Sequence, residues 1–197
     1  MRNVPNDPNC TPKFAAMSFR GNLARVVLTG FMGAGKSTVG RSLAERVGWN
    51  FLDVDDHIET STGVTAKVLF DTLGERGFRQ LESDVLASSL RGSQTVIALG
   101  GAAIDMAANQ TLLANRPHTL VVFLDAPFVT LMERCKEQER TGSATYRPLL
   151  HKPDIALARF SVRKSLYAAH AHMTVDVSEE SPDEVVQEIF IEMGVLA

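Results

Sequence analysis

Residues 28–40, LTGFMGAGKSTVG, carry four glycines and a lysine followed by two hydroxyl side chains, directly after the apolar run RVVL. Residues 30–37 match the pattern G-x4-G-K-[ST], with a strand-like segment before it and a helical pattern after it. Glycines let backbone N–H groups turn toward an anion, and the helix N-terminus adds a favourable dipole. The stretch therefore predicts a phosphate-binding loop. A glycine-rich turn with a purely structural role is disfavoured because both strand and helix are in place.

Length and composition limit what surrounds this loop. With 197 residues, 45% of them hydrophobic, the chain can bury one substantial core. We expect residues 23–197 to form a single domain and residues 1–22, which are rich in Asn and Pro, to form a flexible tail. The formal net charge of -3 argues against a nucleic-acid partner, and the tail has no apolar segment that would bind or span a membrane. The only cysteines, Cys10 and Cys135, lie far apart and suggest neither a disulfide framework nor a metal site, so we expect a cytoplasmic protein. We also expect a monomer.

Apolar runs alternate with helical segments along the rest of the chain. The predicted strands are RVVLT, FLDVD, TVIALG, TLVVFLD and HMTVDV. This alternation, with strands that are almost continuously apolar, indicates an α/β fold in which helices cover both faces of a parallel sheet. Residues 139–152 break the pattern, because they are polar and contain Gly and Pro. We interpret them as a lid.

The second strand ends in FLDVDDH. Because strand side chains alternate, we expect Asp53 and Asp55 to project to the same side, at the edge where open α/β sheets bind ligands. One carboxylate can hold hydrated Mg²⁺ while the other accepts a hydroxyl proton, as phosphoryl transfer requires. The alternative is that these carboxylates only cap the next helix, a role that suits Asp56 best.

Other candidate residues are weaker when each is taken alone. Arg79 and Glu82 are three residues apart on a predicted helix, and spacing favours an ordinary surface salt bridge. Gly100 and Gly101 follow the third strand, which suggests a close approach to the backbone. Two further arginines lie in the lid and in the helix after it, and each by itself is typical of a solvated side chain: Arg147 and Arg163.

Six segments in order give the chain a specific resemblance. They are GFMGAGKSTVGRSLA, FLDVD followed by IE, FRQLES, ALGGA, RPLL and RKSLY. From about Arg25 onward the chain resembles the shikimate kinases, ATP-dependent enzymes of aromatic amino-acid biosynthesis. The resemblance implies a P-loop fold of the nucleoside-monophosphate-kinase type, a three-layer sandwich with a five-stranded parallel sheet, a lid, and a shikimate-binding helical segment between the second and third strands.

The resemblance also implies a role for each matching position on the nucleotide side. ATP phosphates would lie on six consecutive residues of the loop: Gly33, Ala34, Gly35, Lys36, Ser37 and Thr38. Mg²⁺ would be held by Ser37 and, through water, by Asp53. Arg134 would lie against adenine. Arg147 would swing in with the lid to stabilise charge on the transferring phosphoryl group.

On the acceptor side, the resemblance places the hydroxyls of shikimate against Asp55 and the backbone at Gly100 and Gly101. Arg79 and Arg163 would bind its carboxylate through charge-assisted hydrogen bonds. Lys36, Asp55 and Arg147 would then act in catalysis. The implied reaction is transfer of the ATP γ-phosphate to the 3-hydroxyl of shikimate.

One departure from the family pattern lies beside the proposed acceptor site. Ala102 replaces the third of three family glycines, and we expect it to begin the next helix without strain.

Two other functions are possible for such a chain. A kinase of another small hydroxy acid, such as gluconate, is the nearer alternative because the phosphate loop does not read the acceptor. A GTP-binding switch protein is the more distant alternative: residues 71–74, DTLG, mimic its DxxG element, but NKxD is absent.

Overall fold

The computed structural model describes residues 23–142, 147 and 149–194, and in this part of the chain five strands alternate with helices. The strands are β1 (Arg25–Thr29), β2 (Asn50–Asp53), β3 (Thr95–Ala98), β4 (Thr119–Asp125) and β5 (Met173–Asp176). The helices are α1 (Lys36–Val47), α2 (Val54–Thr62), α3 (Ala66–Ser89), α4 (Ala107–Ala114), α5 (Phe128–Arg140), α6 (Pro153–His170) and α7 (Pro182–Glu192). A short 3-10 turn, Ala103–Asp105, precedes α4.

The strands form one parallel sheet in the order β2-β3-β1-β4-β5. Strand β1 is central and fully buried, which places the residues that follow it at the middle of the carboxyl edge of the sheet. Helix α1 packs against α7 and against β1, β2 and β3, while α6 packs against β4, and α4 contacts both α3 and α6. The predicted α/β fold with a parallel sheet covered on both faces is confirmed. Among the described residues, no helix is long and apolar enough to cross a bilayer.

The sequence located the strands well, but the end of β2 and the start of the helix after β3 differ from the expectation. Strand β2 stops at Asp53, because that side chain caps α2 by accepting hydrogen bonds from the backbone N–H groups of Asp55 and Asp56. The expected strand alternation between Asp53 and Asp55 is therefore wrong, and so is the assignment of the cap to Asp56. The expected ordinary backbone at Ala102 is confirmed by its φ of -100°. However, Ala102 precedes a 3-10 turn, and the α-helix begins only at Ala107.

Several predictions fall on residues outside the described part of the chain. These are the flexible tail, residues 1–22, and part of the lid, residues 143–146 and 148. The flanks of the lid are described, and α5 extends to Arg140 before the lid begins.

Helix α3 is interrupted at Gly74, whose φ of 68° and ψ of 175° are not helical. A positive φ costs glycine little, so the chain bends here without strain. The preceding residues of the DTLG stretch, 71–73, are helical rather than a loop after a strand. This placement removes the structural basis for the GTP-switch interpretation.

Arg25 ties the amino-terminal edge of the sheet together. Its side chain is only 9% exposed, and Nε donates to Thr119 Oγ1 at 3.0 Å. The other nitrogens, Nη1 and Nη2, donate to the carbonyl oxygens of Gly92 and Pro117 at 2.5 and 2.9 Å. No carboxylate pairs with Arg25 in the part of the chain that the structure describes. Hydrogen bonds to the loops before β3 and β4 therefore compensate for the burial of this charge.

We expect Arg25→Met to lower the free energy of unfolding by about 2 kcal/mol. The Gly92 carbonyl oxygen and the Thr119 hydroxyl lose their donor, and the Pro117 carbonyl oxygen keeps only the longer hydrogen bond from Thr119 Oγ1, at 3.4 Å. Chemical denaturation followed by circular dichroism measures this loss. Arg91→Met removes an exposed arginine nearby and should change the stability by less than about 0.5 kcal/mol. Equal stability of the two variants would contradict the role given to Arg25.

Candidate active site

The residues between β1 and α1 fold back over the carboxyl edge of the sheet. Gly33 and Gly35 have φ angles of 81° and 85°, in the left-handed region that favours glycine. A side chain at Gly33 would overlap the carbonyl oxygen of Leu131 in α5, whereas the space beside Gly35 is open. The loop is thus held closely by α5 on one side and is free to receive a ligand on the other.

Aromatic packing fixes the outer turn of the loop. Phe31 is 2% exposed, and its ring centroid lies 5.4 Å from that of Phe160 in α6 and 6.3 Å from that of Phe128 at the start of α5. Phe128 and Phe160 also contact each other, at 5.4 Å. The predicted phosphate loop is therefore anchored to the helices on both sides of the lid.

Lys36 is the first residue of α1, and its ammonium group stays within the loop. Nζ donates to the carbonyl oxygens of Gly30 and Phe31 at 2.8 and 3.0 Å. Burial lowers the pKa of Lys36 from 10.5 to about 8, and the nearby carboxylates of Asp53 and Asp55 oppose this shift. An anion beside the loop would replace the two carbonyl contacts and stabilise the charged form of Lys36.

A cavity of about 600 Å³ opens beside the loop. It brings together most of the residues that the sequence proposed for binding and catalysis: Gly33, Gly35, Lys36, Ser37, Thr38, Asp53, Asp55, Arg79, Gly100, Gly101, Arg147 and Arg163. Ala34 and Arg134 do not line it. The Ala34 side chain packs inward, 1% exposed, and Arg134 Nη2 donates to the carbonyl oxygens of Val177 and Ser178 after β5, at 2.6 and 3.1 Å.

Asp53 and Ser37 meet at the base of the cavity. The Ser37 hydroxyl donates to Asp53 Oδ2 at 2.6 Å, while Oδ1 of the same carboxylate caps α2. The cap and the metal-binding interpretation are thus compatible, because the two oxygens serve different partners. In the described residues, no group of three or more His, Cys, Asp or Glu side chains could hold a metal ion.

Asp55 projects into the same cavity from the first turn of α2. Burial, together with the neighbouring carboxylates of Glu82 and Asp53, raises its pKa from 3.8 to about 7, against the opposing effect of Lys36 and Arg79. A carboxyl group with a pKa near neutrality can take and release a proton at physiological pH.

Arg79 and Glu82 form the predicted ion pair, but it is buried rather than at the surface. Arg79 Nη1 donates to Glu82 Oε2 at 2.6 Å, and the two side chains are 15% and 1% exposed. The guanidinium also lies over the rings of Phe70 and Phe78. Glu82 Oε1 has no hydrogen-bond partner among the described residues, and a side chain at Gly100 would overlap it. The spacing predicted the pair, whereas its burial depends on the packing of α3 against the sheet.

Helix α6 contributes Arg163 and Tyr167, which are four residues apart on one face. Arg163 is 6% exposed and forms a bidentate pair with Asp105, in the 3-10 turn after β3. The Tyr167 hydroxyl donates to the carbonyl oxygen of Gly101. Helical spacing from Arg163 could have indicated Tyr167. Nothing in the sequence indicated Asp105, which is 58 positions away from its partner.

The lid contributes two described residues to the cavity, Arg147 and Leu149. Arg147 Nη2 donates to Gln138 Oε1 at 2.5 Å, and Nη1 is buried without a hydrogen bond to any described residue. Gln138 lies near the end of α5 and also lines the cavity. The sequence did not single it out, because its contact depends on how the lid folds back.

A glycine-rich phosphate loop after the central strand, a Ser–Asp pair at its base and a lid arginine define a P-loop kinase of small molecules. The family profile that matches residues 32–193 is described as shikimate kinase. The chain is 39% identical over 167 residues to a shikimate kinase from Nitrosomonas europaea, which covers 83% of this chain and 75% of the relative. Its identity to a shikimate kinase from Mycobacterium tuberculosis is 38% over 174 residues, covering 87% and 94% of the two chains.

A solved structure gives the same result. Shikimate kinase from Acinetobacter baumannii in complex with shikimate superposes with a TM-score of 0.76 at 36% identity, over 88% of this chain and 94% of that one. The chain belongs to the shikimate kinase family. The resemblance inferred from the six sequence segments is therefore confirmed.

The raised pKa of Asp55 has a consequence for stability. Between its usual value of 3.8 and about 7, the folded protein binds more protons at this site than the unfolded chain, so stability falls as the pH rises. We expect Asp55→Asn to remove this penalty and to raise the free energy of unfolding at pH 8 by more than about 1 kcal/mol. The gain should be smaller at pH 5.

Thermal unfolding of the ligand-free protein at both pH values measures this effect. Glu45→Gln, which neutralises an exposed carboxylate on α1, serves as the control and should change stability little at either pH. An Asp55→Asn variant that is less stable than the wild type at pH 8 would contradict the burial of a charged Asp55.

Proposed function

We propose that this protein transfers the γ-phosphate of ATP to the 3-hydroxyl of shikimate, with Mg²⁺ as cofactor. The observation that carries the proposal is a single cavity in which Asp55 and two guanidinium groups paired with carboxylates, the partly buried Arg79 and the buried Arg163, face the phosphate loop. Family membership supports ATP as the phosphate donor. The bound shikimate in the Acinetobacter baumannii relative supports the acceptor.

The nucleotide phosphates would occupy the open side of the loop, where backbone N–H groups and the N-terminus of α1 favour negative charge. Lys36 would exchange its bonds to two loop carbonyls for phosphate oxygens. Arg147, which has one buried nitrogen without a partner among the described residues, would contact the transferring group. We also propose that Arg134, on α5 outside the cavity, lies against the base. These assignments follow the family resemblance.

The residues at the base of the loop fit a magnesium ion. Ser37 Oγ and Asp53 Oδ2 are 2.6 Å apart, and Mg²⁺ typically takes one or two protein oxygens together with phosphate oxygens and water. When bound, the ion would neutralise charge on the phosphates. The lack of a larger acidic cluster among the described residues agrees with this mode of binding, since phosphates and water would complete the coordination.

The acceptor would lie between Asp55 and the two arginines. Arg79 and Arg163 present planar donors that suit a carboxylate, and both are held by a carboxylate partner of their own. Asp55 would accept the proton of the attacking hydroxyl, because its pKa of about 7 lets the carboxylate form predominate just above neutral pH. The backbone at Gly100 and Gly101 would bind a second hydroxyl. The protein thus supplies orientation, charge and a base.

Gluconate is the nearer alternative acceptor, since it also carries a carboxylate and several hydroxyls. Family membership favours shikimate over gluconate. A coupled assay of ADP release with shikimate, with gluconate and with no acceptor separates the two. We expect turnover with shikimate at least about a hundredfold above both other reactions. Equal rates with gluconate, or a rate independent of acceptor, would refute the proposed specificity.

The role of Asp55 makes a prediction about pH. We expect kcat/KM for shikimate to rise with pH and level off above a midpoint of about 7, because only the carboxylate accepts the proton.

The substitution Asp55→Asn should lower kcat by more than about a hundredfold and leave the affinity for ATP within about twofold, since Asp55 faces the acceptor rather than the phosphates. Initial rates and nucleotide titrations measure these effects. Comparable turnover in the variant would remove Asp55 from the mechanism.

A further inference from the structure

Asp105 lies behind one of the two acceptor-site arginines. Arg163 lines both the main cavity and a shallower outer groove of about 510 Å³. Asp105 lines the groove but not the cavity, so the guanidinium group separates it from the proposed acceptor site. Arg159 approaches the same carboxylate from the solvent side, with Nη1 3.8 Å from Asp105 Oδ2.

The ion pair between Arg163 and Asp105 uses only one edge of the guanidinium group. Arg163 Nε donates to both oxygens of Asp105 at 3.0 Å, and Nη2 donates to Oδ2 at 2.6 Å. A guanidinium group has a second edge, formed by Nη1 and Nη2, that can bind another carboxylate in the same bidentate manner. In the part of the chain that the structure describes, Nη1 makes no hydrogen bond. Asp105 therefore occupies the edge formed by Nε and Nη2 and leaves the edge formed by Nη1 and Nη2 available.

We propose that Asp105 is a positioning residue that holds Arg163 with its free edge toward the carboxylate of the acceptor. The inference rests on the proposed function, because it assumes that an acceptor carboxylate binds Arg163. It adds a residue outside the cavity that sets the affinity for the acceptor without touching it.

Competition inside the cavity explains why such a restraint is needed. Glu82 Oε1 is buried without a partner among the described residues. Burial raises the pKa of Glu82, and Arg163 is close enough to oppose this shift, as Arg79 does. A guanidinium group released from Asp105 would leave its Nε unpaired in a site that is 6% exposed, and Glu82 is the available acceptor. Arg163 would then turn toward Glu82 and away from the substrate.

Two alternative roles for Asp105 predict different kinetics. If Asp105 only ties the 3-10 turn to α6, its loss should lower stability and affect all kinetic constants together. If its negative charge mainly repels the acceptor carboxylate, its neutralisation should lower KM for the acceptor. Positioning predicts a rise in KM for the acceptor, with little change in kcat or in KM for ATP.

The test measures initial rates for the full-length wild type, Asp105→Ala and Asp105→Asn, with shikimate and ATP varied in turn. We expect Asp105→Ala to raise KM for shikimate at least about fivefold while kcat and KM for ATP stay within about twofold. Asp105→Asn should raise KM less, because its amide oxygen accepts one of the hydrogen bonds from Arg163. Asp154→Asn, which neutralises an exposed carboxylate in the same groove, is the matched control and should leave all constants within about twofold.

A double-mutant cycle identifies the route of the effect. In an Arg163→Ala background, adding Asp105→Ala should change KM for shikimate by less than about twofold, because the residue through which Asp105 acts is absent. An unchanged or lowered KM in Asp105→Ala, or an equal effect with and without Arg163, would overturn the proposal. Failure of the proposed function is separate, since it appears in the wild type as a lack of shikimate-dependent ADP release. Any carboxylate acceptor that the wild type does phosphorylate then serves for the same comparison.

Discussion

The backbone turn at the end of β1 is the constraint on which the rest of the site depends. Strand β1 is buried at the centre of the sheet, so the chain can leave it only by folding back over the carboxyl edge. The left-handed φ angles at Gly33 and Gly35 make this possible, and the missing side chain at Gly33 lets α5 pack against the loop. Phe31 then joins the loop to α5 and α6. A change in this turn would therefore affect both the anion site and the packing of α5 and α6 against it.

The cavity concentrates charges of both signs in a partly desolvated space. Burial moves the pKa of Lys36 down to about 8 and that of Asp55 up to about 7, so both groups are brought toward neutral pH. A free-energy penalty in the ligand-free protein accompanies this arrangement, because the desolvated carboxylate of Asp55 is held beside those of Glu82 and Asp53. Phosphates and an acceptor carboxylate would supply negative charges that pair with Lys36 and the arginines. The site is therefore built for a ligand with several negative charges, which agrees with the family.

Helix α6 connects the parts of the site. Phe160 packs on the phosphate loop, Arg163 faces the cavity, and Tyr167 bonds to the backbone at Gly101 beside it. These side chains lie three or four residues apart, so one face of a single helix contacts the donor side and the acceptor side together. The helix begins at Pro153, immediately after the lid. Helix α6 therefore connects the end of the lid to the side chains that line the cavity.

The sequence by itself determined the phosphate loop, the order and approximate positions of the strands, and the family, because these depend on local patterns and on the spacing of a few residue types. It also indicated Asp53, Asp55, Arg79 and Arg163, although it placed Asp55 in a strand rather than in a helix. Only the tertiary structure decided that Asp53 both caps α2 and meets Ser37, and that Arg79 and Glu82 are buried. It alone brought Asp105 to Arg163. The contacts of Asp53 with Ser37 and of Asp105 with Arg163 join residues 16 and 58 positions apart. The burial of the Arg79–Glu82 pair depends on how helices pack on the sheet, which no local pattern encodes.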